Sequence, residues 1–184
     1  EHLYASPVFI SAIQEFGFAP EDMVIVSPDA GGVDRARHYS KRLGSKLAIL
    51  DKRRSAPNVS EMMNVIGDVE DKHAIIVDDM VDTAGTLTRA GAALMERGAA
   101  SAHAVATHPI LSGPALDRIE NSVLDGLIVT DTIPLSERAE ACDKISVVSV
   151  DRVVGEAIHR IHGGDSVSSI FDVHPQYEAD DSSG

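Results

Sequence analysis

HAIIVDDMVDTAGTLT, residues 73–88, sets a buried strand, an acidic turn and a helix start in immediate succession. Ala74 to Val77 is a short apolar run with β-branched residues, the composition of a strand covered on both faces of a parallel sheet. Asp78 and Asp79 end it, Asp82 follows, and Thr83-Ala84-Gly85-Thr86 leads into a helical pattern over Leu87 to Glu96. In open α/β sheets, ligands bind at the carboxyl ends of the strands. Small and hydroxyl residues opening a helix offer free backbone N–H groups and the positive end of the helix dipole, which suit a phosphate. The acids suit sugar hydroxyls or a magnesium ion carried by the ligand. The stretch therefore offers grips for both ends of a sugar phosphate. An ordinary helix start, with Asp82 or Thr83 as N-cap and solvated acids, is the bland alternative. Asp-Asp-x-x-Asp-Thr-x-Gly-Thr behind a buried strand is specific enough to favour the ligand reading.

Bulk composition narrows the setting. The 184 residues suffice for one substantial domain. The hydrophobic share, 43%, is ordinary for a globular chain, and no run is long enough to cross a bilayer. No charged segment followed by an apolar one opens the chain, so no secretory signal is expected, although the first residue is Glu1 rather than Met. Cys142, the single cysteine, excludes an internal disulfide and fits a reducing cytoplasm. A formal net charge of −13 disfavours general binding to nucleic acid or to a membrane surface. An anionic ligand must then be held by local devices: helix N-termini, a few Arg and Lys, or magnesium.

Taken in order, Tyr4 to Phe16 predicts a helix with apolar positions at Val8, Phe9, Ala12, Ile13 and Phe16, ended by Gly17. Met23 to Val26 predicts a buried strand, followed by the turn Ser27-Pro28-Asp29-Ala30-Gly31-Gly32 and a helix over Val33 to Leu43. This is a second strand, glycine turn and helix. Asp29 sits where a carboxylate reaches magnesium, and the glycines let N–H groups approach a diphosphate. A purely structural turn competes with that reading. The company of the acid loop favours the site. Lys46 to Leu50 predicts a strand that runs into Asp51-Lys52-Arg53-Arg54-Ser55-Ala56-Pro57-Asn58, expected as a mobile basic loop. Such charge runs are usually solvated. Here the loop is the densest basic cluster of an acidic chain, on the edge where the other two loops belong, and it could neutralise charge on a transferring phosphoryl group. Further strands are expected over Met62 to Gly67, Ala102 to Thr107, Gly126 to Thr130 and Ile145 to Val148, with a last helix over Asp151 to Ile161. His108, in the loop before Pro109, is equally well a substrate contact or a plain loop residue. From Asp172 the composition turns polar, and residues 172–184 are expected to form a disordered tail. Alternating strands and helices predict an α/β fold with a mainly parallel sheet and right-handed crossovers.

The acid loop resembles the ribose 5-phosphate loop of the type I phosphoribosyltransferase fold, which implies a mainly parallel, five-stranded-type sheet flanked by helices, with a small flag or flexible-loop insertion. Six segments in order closely resemble the C-terminal half of ribose-phosphate pyrophosphokinases, the phosphoribosyl pyrophosphate (PRPP) synthetases, of the phosphate-dependent class. They are 27–32, 51–54, 77–86, 107–115, 131–135 and 166–171, and the resemblance spans residues 1–171, one domain. It implies transfer of the diphosphoryl group of magnesium ATP to the 1-hydroxyl of ribose 5-phosphate, giving PRPP and AMP for nucleotide biosynthesis. It implies ribose 5-phosphate on Asp78, Asp79, Asp82, Thr83, Ala84, Gly85 and Thr86, catalysis by Lys52 and Arg54, and a magnesium ligand at Asp29. It further implies an allosteric phosphate and ADP site at Ser166 and Ser168, a homohexamer built from dimers, and a cytoplasmic setting.

The resemblance also marks what this stretch lacks. Family chains have two similar halves, and the first supplies a histidine ligand to magnesium and the adenine contacts. The 184 residues are therefore expected to be a fragment that binds ribose 5-phosphate weakly and does not turn over alone. The alternatives are a PRPP-consuming phosphoribosyltransferase, which shares the acid loop but does not need the Lys52 loop, and a non-catalytic regulatory subunit, against which the intact Lys52, Arg54 and Asp82 speak.

Overall fold

The computed structural model describes residues 2–53 and 62–172. Seven strands are found among them: β1 (Met23–Ser27), β2 (Lys46–Arg53), β3 (Met62–Ile66), β4 (His73–Val81), β5 (Ser101–Pro109), β6 (Gly126–Thr130) and β7 (Ile145–Val148). The helices are α1 (Ser6–Gln14), α2 (Val33–Leu43), α3 (Gly85–Glu96), α4 (Ala115–Glu120), α5 (Glu137–Glu140), α6 (Asp151–Gly163) and α7 (Ser169–Asp172). The strands form one sheet in the order β3-β2-β1-β4-β5-β6-β7. All neighbours run parallel except β2 and β3, which are antiparallel. Strands β2, β1, β4, β5 and β6 are the expected five-stranded core; β7 adds a sixth parallel strand and β3 an antiparallel edge.

Strand alternation builds two cores. Met23, Ile25, Ile75, Val77, Val105 and Ile128 pack on one face with Phe9 and Ile13 of α1 and Ala36, Tyr39 and Leu43 of α2. Their neighbours Val24, Val26, Ala74, Ile76, Ala104, Ala106, Leu127 and Val129 pack on the other with Leu87, Ala90 and Leu94 of α3 and Ile119 of α4. Period-two alternation with both faces apolar is what a sheet covered by helices on both sides requires. The chain leaves β1 toward β2 and returns to the far side of β1 as β4, so the strand order reverses between β1 and β4. Val26 is level with Ile76 across that boundary. The two loops following β1 and β4 therefore open side by side, at the point where an α/β sheet leaves a crevice.

Two strands outrun their apolar sequences. The expected strand at Lys46 to Leu50 continues through Lys52 and Arg53, paired with Met63 and Met62 of β3. The central strand continues through Asp78 to Val81, with Asp78 level with Ala106 and Val81 level with Pro109. Ladder hydrogen bonds join main-chain groups, so a polar side chain does not end a strand while its neighbour continues. Lys52 thus lies on a strand rather than in the expected loop, while Arg54, within 54–61, falls outside the described residues. Helix α5 has no periodic signature in the sequence, because one turn is too short for a period; Ser136 caps it by accepting from Ala139 N at 3.3 Å. Helix α7 carries order to Asp172, and the tail beyond lies outside the described residues.

Ile75, fully buried on the central strand, and Ile158, 63% exposed on α6, test this layering. Ile75→Ala is expected to cost about 2–5 kcal/mol in urea unfolding, and Ile158→Ala to stay within about 0.5 kcal/mol of wild type.

Candidate functional site

The turn after β1 is held by its own side chains. Asp29 Oδ1 accepts from the N–H groups of Gly31 at 2.9 Å and Gly32 at 3.1 Å, which makes Asp29 the cap of a 3-10 turn leading into α2. Ser27 Oγ donates to the Asp29 carbonyl at 2.6 Å. A Cβ on Gly32 would stand 2.9 Å from that hydroxyl, so the turn closes only around a residue without a side chain. Asp29 spends one carboxylate oxygen on the turn and remains half-buried at the crevice.

Across the crevice stand Asp78 and Asp79. Arg35, on the first turn of α2, donates from Nη1 to Asp78 Oδ1 at 3.1 Å and from Nη2 to Asp79 Oδ2 at 2.7 Å. One guanidinium thus spans two carboxylates, a fork that Lys cannot supply. The Asp79 N–H also donates to Asp78 Oδ1 at 2.9 Å. Burial pushes the Asp78 carboxyl up to about 6; the Asp79 N–H and Arg35 pull it down, and the hydrogen bond and charge of Asp79 raise it further. For Asp79, burial acts upward as well. The charge of Arg35 and the hydrogen bond from Asp78 outweigh it and hold Asp79 below the usual carboxylate range. The pair keeps one proton more readily than two separate acids would, with Asp78 as its holder.

The loop that follows is braced from β5 and α4. Leu111 N donates to the Val81 carbonyl at 3.0 Å and Ser112 N to the Asp82 carbonyl at 3.0 Å, while Ser112 Oγ donates to Asp82 Oδ1. Arg118 Nη1 donates to the Thr83 carbonyl at 2.8 Å. Ala84 adopts φ 57°, a left-handed conformation costly for a residue with a Cβ, and its side chain is buried in the α3-side core. Held this way, the N–H groups of Thr83, Ala84, Gly85 and Thr86 donate to no described residue, and they stand at the start of the twelve-residue α3. Unfilled donors at a helix N-terminus are an anion cradle.

The crevice thus gathers Asp29, Asp78, Asp79 and the 82–86 loop. His108 lies on the same edge, level with Met80, but its Nδ1 is engaged with Thr132 Oγ1 at 3.0 Å. Ser166 and Ser168 bond each other at 2.8 Å in the α6–α7 turn, beside Arg160, and share no hydrogen bond with the acid loop. Three contributors carry no sequence signal of their own role: Ser112 and Arg118 arrive from about thirty residues away, and Arg35 looks like any helix cation until the sheet brings it over Asp78. A cleft of about 420 Å3 between α3 and α4, lined by Thr88, Ala92, Asp117, Arg118, Asn121 and Val123, holds none of the predicted site residues.

The raised Asp78 carboxyl has a consequence for stability. Between pH 3.8 and about 6 the folded chain holds a proton that the unfolded chain has lost. Stability from this group is therefore present below pH 3.8 and falls as pH rises toward 6. In parallel urea titrations, Asp78→Asn is expected to gain about 1–3 kcal/mol on wild type between pH 4 and pH 7.

With the geometry established, comparison with known proteins becomes specific. A family model described as the phosphoribosyl synthetase-associated domain matches residues 51–172. Curated ribose-phosphate pyrophosphokinases of Bordetella pertussis and Xanthomonas campestris pv. campestris are similar, the first 54% identical over 171 residues and the second 53% over 172, each match covering 93% of this chain and 54% of the relative. The chain spans about half the length of the curated relatives it matches. Its fold is similar to the crystal structure of phosphoribosylpyrophosphate synthetase from Mycobacterium smegmatis, with a TM-score of 0.78 at 35% identity over 87% of this chain and 51% of that one. A purine phosphoribosyltransferase from Pyrococcus horikoshii shares the fold, with a TM-score of 0.50 at 19% identity over 79% of this chain and 85% of that one. The α/β sheet with its acid loop at the strand-order reversal is accordingly the phosphoribosyltransferase-like fold, and the chain belongs to the phosphoribosyl synthetase-associated domain family.

Proposed function

We propose that this chain carries the ribose 5-phosphate site and the transfer residues of a ribose-phosphate diphosphokinase. The observation that carries this reading is the convergence of the Asp29 turn and the braced Asp78–Thr86 loop at the β1–β4 crevice. The relatives named above as ribose-phosphate pyrophosphokinases support it.

In this reaction the 1-hydroxyl oxygen of ribose 5-phosphate attacks the β-phosphorus of ATP. A new oxygen–phosphorus bond forms, the bond from the β-phosphorus to the bridging oxygen of the α-phosphate breaks, and AMP leaves with that oxygen. The hydroxyl proton passes to solvent. In-line displacement of this kind needs positioning and charge neutralisation rather than a covalent nucleophile. The free N–H groups of residues 83–86 hold the 5-phosphate, Asp78 and Asp79 hold the ring hydroxyls, and Asp82, fixed by Ser112, closes the loop around the sugar. Lys52, on β2, and Arg54, two residues on in the sequence, are assigned the offsetting of charge on the transferring group.

Magnesium fits this site as an ion borne on phosphates. Among the described residues no three His, Cys, Asp or Glu side chains gather to cage a cation, whereas Asp29 holds an oxygen free of its turn bonds. Magnesium is commonly held by one or two carboxylates together with substrate phosphates and waters. Bound there, it would neutralise phosphate charge, with Asp29 as its ligand from this chain.

ATP contacts beyond this crevice, a phosphate and ADP effector site at Ser166 and Ser168, and assembly into a homo-oligomer complete the proposal. A cytoplasmic setting accords with the chemistry, and no described helix is long and apolar enough to cross a membrane.

Titration of ribose 5-phosphate into the 15N-labelled chain is the direct test. Shifts are expected to concentrate on residues 78–86, and Asp82→Asn is expected to weaken binding about ten-fold or more. No AMP is expected from ATP and ribose 5-phosphate with this chain alone. Shifts confined elsewhere would overturn the site, and AMP formation would overturn the division of the reaction between this chain and groups outside it.

A further inference from the structure

The geometry points to Arg35 as the positioning residue that makes Asp78 and Asp79 a reader of vicinal hydroxyls. This rests on the sugar-phosphate reading of the crevice above and goes beyond it by assigning what selects the sugar.

The guanidinium takes one oxygen from each acid: Asp78 Oδ1 at 3.1 Å and Asp79 Oδ2 at 2.7 Å. Asp78 Oδ2 and Asp79 Oδ1 stay outside its grip. The two acids, pinned side by side and hydrogen-bonded to each other, keep further oxygen lone pairs for a pair of adjacent O–H donors. Unpinned acids on neighbouring strand residues would point to opposite faces of the sheet, because successive side chains alternate. The fork opposes that divergence.

Arg35 also ties the acid pair to the other half of the crevice. It stands three residues after Gly32, where an added Cβ would lie 3.8 Å from Arg35 Nη1. Its guanidinium therefore lies close over the Asp29 turn. Arg37, two residues on, pairs instead with Asp34 at 2.6 Å, both side chains being well exposed. Tyr39, one helical turn beyond Arg35, is buried within the α2-side core and anchors the helix from which the fork projects.

Charge supplies the second half of the argument. Asp78, Asp79 and Asp82 put three carboxylates within five residues at the end of β4, beside a loop whose N–H groups await a phosphate dianion. A cation shared by two of them lowers the repulsion an incoming anion would meet. Its side chain is about one-third exposed, so the charge acts in a partly desolvated setting rather than in bulk water.

The test compares ribose 5-phosphate with 2-deoxyribose 5-phosphate, which keeps the phosphate and loses one hydroxyl of the pair. Both are titrated into the 15N-labelled wild-type chain and into Arg35→Ala and Arg35→Lys, each first checked for a wild-type-like amide spectrum. Wild type is expected to prefer ribose 5-phosphate by about ten-fold, since a missing hydroxyl leaves a carboxylate unpaired. Arg35→Ala is expected to bring that ratio within about two-fold, and Arg35→Lys, which restores charge without the fork, to leave it low. Loss of packing alone would weaken both ligands together and keep the ratio. If Arg35→Ala fails to fold, Arg35→Lys carries the test.

A wild-type ratio retained by Arg35→Lys, or by a folded Arg35→Ala, would overturn the assignment. Equal binding of both sugars by wild type, with shifts at 83–86, would leave the phosphate cradle standing and overturn the diol reader. Binding of neither would overturn the sugar-phosphate reading and this inference with it.

Discussion

Three carboxylates at the end of a buried strand, beside a cradle of unfilled N–H donors, set the electrostatic problem that the rest of the crevice resolves. Asp78 and Asp79 share the Arg35 guanidinium, and Asp82 accepts from Ser112. The first two are held from α2 and the third from the β5–α4 connection. Without those partners the loop would repel itself and any anion approaching it. The net charge of −13 makes the point general: this chain attracts a phosphate only where backbone donors and a few placed cations outweigh the field of the whole.

Order in the crevice depends on the scaffold beneath it. Two faces of small and β-branched side chains lock β1 and β4 in register, Val26 against Ile76. The cost of holding Ala84 at φ 57° is carried by burying its methyl group, by two backbone bonds from the β5–α4 connection and by the Arg118 guanidinium on the Thr83 carbonyl. Strain is tolerated where the surroundings over-determine the conformation, and such places cluster at binding sites. The cleft between α3 and α4 lacks that convergence, which is why volume is a poorer guide here than the meeting of charge, unfilled donors and a strand-order reversal.

The chain spans about half the length of the curated relatives it matches. The acid loop, the Asp29 turn and the Arg35 fork are complete within the described residues. Under the proposed reaction these groups receive the acceptor sugar and one side of the phosphate chain. The nucleotide end calls for aromatic or hydrogen-bonding contacts to a base. Aromatic residues make up only 4% of this chain, and Phe16 and Phe18 pack against His103 and His73, near the starts of β5 and β4 and so at the strand ends away from the crevice.

Sequence by itself determined the sheet class, the existence of the longer helices, and the two loops on the ligand edge. Local chemistry dictates each of these: apolar runs of β-branched residues make strands, Gly44 and Gly164 in left-handed conformations end helices, and Asp29 caps its own turn. It also led to the family resemblance, carried by ordered short segments. Strand ends were the first thing it missed, because β2 and β4 are prolonged by neighbouring backbones rather than by their own side chains. Only the tertiary structure decided which groups hold the acids. Arg35 lies 43 residues from Asp78, and Ser112 lies 30 from Asp82. Those distances in sequence collapse at the β1–β4 reversal and at the β5–α4 connection. Pairing across them is set by packing, and no local pattern encodes it.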